Sequence, residues 1–491
     1  MEHDLALSNI PDGWYLSTLG EYLDSVGGSI QTGPFGSQLH ASDYVKEGIP
    51  SVMPKNISVE GINQYDIARI SETDAARLSK YRLEDGDIIY SRRGDVEKCS
   101  LVTERESGWL CGTGCLRIRL GNSSSSVSPE FIHAYLSSPM IREWISRNAI
   151  GATMPNLNTG ILRDVPFLLP DLSQSEFIGN LWTIINNKIT LNRLINQTLE
   201  QIAQNLFKSW FVDFDPVVDN AIDAGFFDQD LPISDELLRR AKLRKEVRKS
   251  GDFKPLPSTI RQTIPAAFEE CVEPSMGLGG WVPSGWGKMA VYSLAEFVNG
   301  AAYKAFEPNL LQRGLPILKI AELKAGVTTQ TAFSDREMPE KYRINDSDIL
   351  FSWSGNPDTS IDTFIWTHGE AWLNQHIFKI TPPSGLGERS FVLMTLKYLK
   401  PVFAEIARNK QTTGLGHVTI ADLKRLRIIK PEPTILAAWD KIVTPSLNQQ
   451  FALTKQAQTL AKFRDTLLPK LISGELRLDE TGAQFVKEDL G

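Results

Sequence analysis

The chain reads as an α+β protein in which two similar globular α/β domains are separated by two long helices that form an antiparallel coiled-coil spacer. Three observations predict this. Short motifs return at a fixed distance: residues 87–91 (DIIYS) come back as 348–352 (DILFS), 145–148 (ISRN) as 406–409 (IARN) and 197–199 (QTL) as 458–460, always 261 positions on. Each copy contains short β-type runs bounded by Gly, Asp and Ser clusters, with a helical stretch among them. A long amphipathic stripe then follows each copy.

Upstream, the repeat slips twice. Pro11, Gly13 and Trp14 match Pro283, Gly285 and Trp286 at a shift of 272, and residues 48–50 (GIP) match 314–316 (GLP) at 266. Surface-loop insertions explain both, because loop closure entropy grows slowly with length. A period this long is no solenoid, and each copy is large enough to bury its own core.

The order of elements follows. Residues 1–172 form the first domain, with strands near 86–90 and 115–120 and a helix over 129–148 broken at Pro139. Residues 173–212 form a long helix, since Phe177, Leu181, Ile184, Ile185, Leu191, Ile195, Leu199, Ile202, Leu206 and Trp210 recur mostly every three or four positions. About 38 residues at 1.5 Å each make a rod near 57 Å. Asn192, Asn196 and Gln197 are placed on its polar, outward face. Residues 213–280 are read as a linker region; its basic run at 239–249 contacts phosphates or forms a solvated helix face, and the second reading is adopted because Glu246 interrupts it. The second domain spans 281–432, with strands near 348–352 and 375–380 and a helix over 390–408. A second long helix spans 433–475, kinked or truly started at Pro445, and 476–491 is a tail. The two stripes most simply bury each other, the alternative being that each helix packs on its own domain.

Composition narrows the function. With 42% hydrophobic and 23% charged residues the chain is ordinary globular protein. It has no 18-residue apolar run and no basic-then-apolar start, so no membrane association and a cytoplasmic location are expected. Cys99, Cys111, Cys115 and Cys271 are too scattered for a disulfide framework and are read as buried thiols rather than a metal site. The phosphate-loop, zinc-hydrolase and nucleophile-elbow motifs are absent, as is the Asn-Pro-Pro-aromatic signature of amino methylation, since Asn356-Pro357 runs into Asp358. The chain is therefore read as non-catalytic and without a cofactor of its own. Net charge is −7, which argues against a nucleic-acid binder that acts alone.

Gly-Trp openings, a Leu-x-Pro exit into the first helix with Ile429-Lys430-Pro431 in its place before the second, the Gly-Pro-Phe-Gly-Ser turn at 33–37, and the stretches 205–216 (NLFKSWFVDFDP) and 467–474 (LLPKLISG) together form a pattern. It resembles the specificity subunit of type I restriction-modification systems over nearly the whole chain, 219–273 excepted. The helix starts depart from the family's Pro-x3-Glu-Gln, reading Pro170-Asp171-Leu172 and Pro431-Glu432-Pro433. The resemblance implies two target-recognition domains that each read half of a split double-stranded DNA sequence, with the helix pair as a ruler. It also implies two methyltransferase subunits using S-adenosylmethionine and restriction subunits using ATP and Mg. The rival readings are a stand-alone DNA-binding regulator and a protein-binding scaffold.

Candidate DNA-contacting residues are polar side chains beside Gly or Pro in loops or at strand ends. In the first domain they are Gln31, Ser37, Gln38, Arg92, Arg93, Arg147, Asn156 and Asn158. A surface ion pair with Asp95 or Glu97 is the other reading of Arg92 and Arg93, and a helix-end role that of Arg147. In the second domain they are Lys304, Ser352, Trp353, Ser354, Asn374, Gln375, His376, Lys410, Gln411, Thr412, Thr413 and His417. The 410–413 loop is the first choice among them, with removal of Lys410 and Gln411 expected to abolish methylation and spare assembly; a lone histidine such as His376 is more often a satisfied core residue.

Overall fold

A computed structural model describes residues 10, 13–121, 127–151, 155–251, 253–273, 275–411, 414–473 and 475–476. The chain divides into two compact units, Met1–Arg193 with Gln456–Gly491, and Leu194–Lys455.

In the first unit, buried β-branched and aromatic side chains make Ile88–Ser91 the central strand of a four-stranded antiparallel sheet. It is flanked by Cys115–Arg119 and Cys99–Leu101, and Ser29–Thr32 lies beyond Cys115–Arg119. A second sheet joins Leu110–Cys111, in parallel, to Ile49–Val52 and then to Ala68–Ile70 and Tyr44–Val45. Tyr15–Thr18 pairs with Pro166–Leu169 and so ties the start of the domain to its end. The helical stretch breaks where Pro139 predicts, into Pro129–Leu136 and Pro139–Asn148, each capped by the serine before its proline.

The second unit repeats the central sheet, while the fourth strand of its second sheet, Arg343–Ile344, pairs on Ala371–Leu373, the opposite edge from that taken by Tyr44–Val45 in the first unit. Its central strand Ile349–Ser352 lies between Ile377–Thr381 and Asp362–Ile365, with Glu296–Asn299 beyond. Its second sheet again contains one parallel pair, Leu315–Leu318 with Ala371–Leu373. Gly287–Ala290 and Arg427–Lys430 close the domain as their counterparts do in the first. The expected single helix over 390–408 is in fact two, Glu388–Tyr398 and Lys400–Asn409. Pro401 lacks the N–H a continuous helix needs and sits instead in the first turn of the second helix.

Both long helices form, as Leu172–Phe211 and Pro433–Ile472. Pro433 begins the second, and Pro445 lies inside it without ending it. Within each unit the two helices run antiparallel. In the first, Arg464 donates to Asn186 (2.7 Å) and Asn192 to Gln456 (2.8 Å). In the second, Asn196 donates to Thr454 (2.9 Å) and Trp210 packs on Trp439 at 5.8 Å. Asn192 and Asn196 therefore lie at the seam, not on the outward face as expected, while Leu191 and Ile202 of the expected stripe are 49% and 46% exposed. Asn and Arg at a seam cost stability but fix register. The two readings of the stripes also combine. Ile178, Leu181, Trp182, Ile185 and Ile189 share one core with Leu468, Leu471 and Ile472 and with the domain's Phe131, Tyr135 and Phe167.

Residues 213–280 are not a bare linker. They fold onto the second unit as helices Asp215–Asp223 and Asp235–Val247 and a hairpin of Phe268–Glu270 with Trp281–Pro283. The basic run is a solvated face in part: Arg239, Lys242, Lys245 and Lys249 are exposed, whereas its other arginines are paired. Arg240 meets Asp215 (2.6 Å), Arg244 meets Asp219 (2.5 Å) and Arg248 meets Asp223 (2.5 Å). Acids and arginines each recur every fourth residue, so the two helices run side by side in one direction with their charges in step.

Cys99, Cys111 and Cys115 are buried in strands, where burial pushes the Cys99 thiol to about 11 and the Cys111 thiol to about 12. His133 is buried beside the first long helix and accepts a bond from the Trp182 indole (3.2 Å); burial lowers its pKa to about 4 from 6.5. The unfolded chain then binds the extra proton between those two pH values, so stability falls as pH drops from about 6.5 toward 4. The loss approaches about 3 kcal/mol at most. Denaturant midpoints at pH 7 and pH 5 should show it, and His133→Gln should remove that part of the difference.

Candidate nucleic-acid interface

In each domain the candidate residues gather where the central strand leaves the sheet. In the first, Ile88–Ser91 runs into Arg92 and Arg93. The Arg92 amide donates to Gly114 (2.8 Å) and its carbonyl accepts from Leu157 (2.8 Å). The guanidinium lies 5.7 Å from the ring centre of Phe35, a side chain 52% exposed. Arg93 is bridged to Asn156, which also pairs with Ile150. The acids that might have paired with these arginines are engaged elsewhere: Asp95 with Lys98 (2.5 Å) and Glu97 with Arg142 (2.9 Å).

Other candidates of this domain hold structural bonds. Gln31 accepts from Arg117 (2.8 Å), and Gln38 accepts from Tyr81 (2.7 Å) and the Phe35 amide (3.3 Å). Asn158 caps the helix Thr159–Arg163 by accepting from the Ile161 amide (2.8 Å). Arg147 pairs with Glu143 one helical turn away. Ser37 is exposed in the turn that carries Phe35.

The second domain gathers more of its candidates. Ile349–Ser352 leads into Trp353 and Ser354, and Ser354 pairs with His417. The Trp353 amide donates to His376 (3.2 Å), its carbonyl accepts from Val418 (2.8 Å) and its indole donates to Asn299 (3.0 Å). The Trp353 and His376 rings lie 5.2 Å apart. His376 is in the turn between Ala371–Leu373 and Ile377–Thr381 together with Asn374 and Gln375, whose amide donates to Ala301 (2.8 Å). Lys304 is exposed in the short turn Tyr303–Phe306.

The favoured loop looks different in structure. Both Asp422 oxygens accept from Lys410 (2.6 and 2.5 Å), and Gln411 donates to Gly414 (2.7 Å). Thr412 and Thr413 lie outside the described residues. Burial pushes the Asp422 carboxyl up, but bonds from Lys410 and Thr419 outweigh this and hold it below its usual range. Lys410 is thus a structural lysine in the free chain. Phe35 and Asn299, which hold Arg92 and Trp353 in place, were not among the candidates, although Phe35 sits inside the Gly-Pro-Phe-Gly-Ser turn.

Lys410→Ala leaves a carboxylate only 5% exposed without its cation. A loss of about 1–3 kcal/mol is expected. The variant should melt below the unmodified chain, and Lys410→Ala with Asp422→Asn should recover part of the difference; equal melting of all three would show that the pair contributes nothing.

Comparison with known proteins agrees with this geometry. The family described as Type I restriction modification DNA specificity domain matches residues 41–201 and again 283–456. The chain is 25% identical over 423 residues to the HindI specificity subunit of Haemophilus influenzae, covering 82% of this chain and 89% of that protein. It is 25% identical over 490 residues to the MjaIX specificity subunit of Methanocaldococcus jannaschii, covering 96% of each. The crystal structure of a type I restriction-modification S subunit from M. genitalium shares the fold, with a TM-score of 0.52, 14% identity, and 94% and 96% of the two chains covered. A central sheet repeated in both units, matched twice by one family and along its length by these relatives, establishes that the chain belongs to the type I restriction modification DNA specificity family.

Proposed function

We propose that this chain gives a type I restriction-modification complex its DNA address, each domain reading one half of a two-part double-stranded sequence while the paired helices set the unread gap and dock two methyltransferase subunits. One observation carries the reading: the two domains keep the central strand and its neighbour in the same register yet present different side chains where the central strand ends. A shared frame with divergent tips suits two readers of different half-sites. In this reading the chemistry belongs to the partners, the methyltransferases with S-adenosylmethionine and the restriction subunits with ATP and Mg. The net charge of −7 fits a reader whose partners supply many of the phosphate contacts. None of the described helices is long and apolar enough to cross a membrane.

A regulator that acts alone would have to hold DNA without partners, and a scaffold would have no need of divergent strand tips on a common frame. Family membership favours the specificity subunit over both.

Replacing residues 14–170 with the matching domain of another family member should change one half of the methylated sequence and leave the other intact, as read by sequencing methylated adenines. A change in both halves, or in neither, would sink the division of labour. Adding one helical turn to both long helices, about 5.4 Å, should lengthen the preferred gap by one or two base pairs. An unaltered gap in the same assay would remove the helices as its determinant.

A further inference from the structure

The duplication lets the two domains be compared position by position. Tyr90 lies opposite Leu116 as Phe351 lies opposite Phe378, so these strands are equivalent residue by residue. Two residues on, Arg92 and Trp353 make the same pair of backbone bonds, donating to Gly114 and His376 and accepting from Leu157 and Val418. Arg93 then bridges Asn156 as Ser354 bridges His417. Three positions are thereby matched: Arg92 with Trp353, Gly114 with His376, and Asn156 with His417.

The frame is retained while all three side chains differ. The middle position says more. Both residues have positive φ, +82° for Gly114 and 78° for His376. Glycine adopts this backbone freely, whereas an imidazole there is strained, and strain of this kind is held in place by its surroundings and is found often at binding sites.

Unpaired buried atoms mark the same place. Nε of Arg92 and Oδ1 of Asn156 in the first domain, and Oγ of Ser352, Oδ1 of Asn374 and Nδ1 of His376 in the second, have no hydrogen-bond partner among the described residues. Ser352 and Asn374 are 0% and 6% exposed. Buried polar atoms are normally paired, and these five, among others elsewhere in the described residues, lie beside the matched positions, where a ligand could bring its own donors and acceptors.

We infer that these three matched positions are the specificity-determining positions of the two domains, Arg92 and Asn156 meeting base edges of one half-site and His376 and His417 those of the other, with the Trp353 ring giving an apolar contact beside them. The inference rests on the proposed reading of DNA by each domain. Arg92 is held over Phe35 with its planar fork pre-set, which fits the O6 and N7 of a guanine. His376 offers one donor and one acceptor on a backbone that cannot swing.

The test uses the full chain expressed with its methyltransferase partner, the methylated sequence being mapped across the host genome and the purified chain melted. His376→Gly copies the first domain and removes the strain, so it should melt no lower than the unmodified chain. It should relax one or two adjacent bases in one half-site only, with discrimination falling on the order of tenfold to a hundredfold. Arg92→Lys keeps the charge but not the fork, and should relax a guanine in the other half-site. An unchanged sequence in both variants, or relaxation in both halves at once, overturns the assignment. Should His376→Gly melt lower, Arg92→Lys alone decides. If the unmodified chain directs methylation to no two-part sequence, the underlying reading fails instead.

Discussion

The apolar core of each unit is closed by chain from a distant part of the sequence. The first unit's core includes Leu468, Leu471 and Ile472, several hundred residues beyond the strands they help to cover. The second unit's core includes Phe207, Trp210 and Phe211 from the first long helix, packed on Trp439 of the second and on Phe391 of the domain. Each antiparallel half-pair is therefore both spacer and core. Closing so long a loop is entropically unfavourable, and the wide aromatic contact around Trp439 offsets it locally. The polar contacts Arg464–Asn186, Asn192–Gln456 and Asn196–Thr454 add little net stability for their number. What they add is register: a slip of one turn leaves every one of them unpaired in a poorly solvated seam.

This seam also shows where the sequence could be read and where it could not. Period and amphipathicity gave the helices to within a residue or two at their starts, because a stripe tens of residues long averages out local exceptions. The exceptions were misread. Asn192 and Asn196 were assigned to water because Asn is polar, yet two polar side chains can satisfy each other inside a seam, and no single residue announces a partner some 260 positions away. The insertion at 213–280 failed for a related reason. Its arginines looked solvated because their acids, at Asp215, Asp219 and Asp223, belong to another helix that only the fold brings alongside.

The candidate site was legible in part. Strand ends could be found from the repeated Asp-Ile-Ile-Tyr-Ser motif, and Arg92, Arg93, Ser352, Trp353 and Ser354 follow it directly. Asn156, His376 and His417 join them through turns and bridges that local pattern does not encode. Gln31, Gln38, Asn158 and Lys410 have the right chemistry, but the free chain already uses their side chains, as partners of Arg117 and Tyr81, as a helix cap and as the counter-ion of Asp422. Side-chain type alone could not separate a residue occupied by its own domain from one left with spare hydrogen-bonding capacity.

That separation has a physical basis in how the strand end is built. At Arg92 and Trp353 both backbone groups are already bonded, the amide to one neighbouring segment and the carbonyl to another. The conformation there is fixed by main-chain bonds that any non-proline residue can make, so the backbone does not depend on which side chain stands there, although the Trp353 ring also packs on Phe378 and donates to Asn299. Arginine on a phenylalanine face in one domain and tryptophan on an imidazole in the other stand on the same backbone frame. A fold that fixes position through the backbone and leaves identity to the side chain can hold two readers in one geometry while they recognise different partners. Had those positions been set by side-chain packing, as at Phe131 or Trp439, any change of recognition would also have been a change of core.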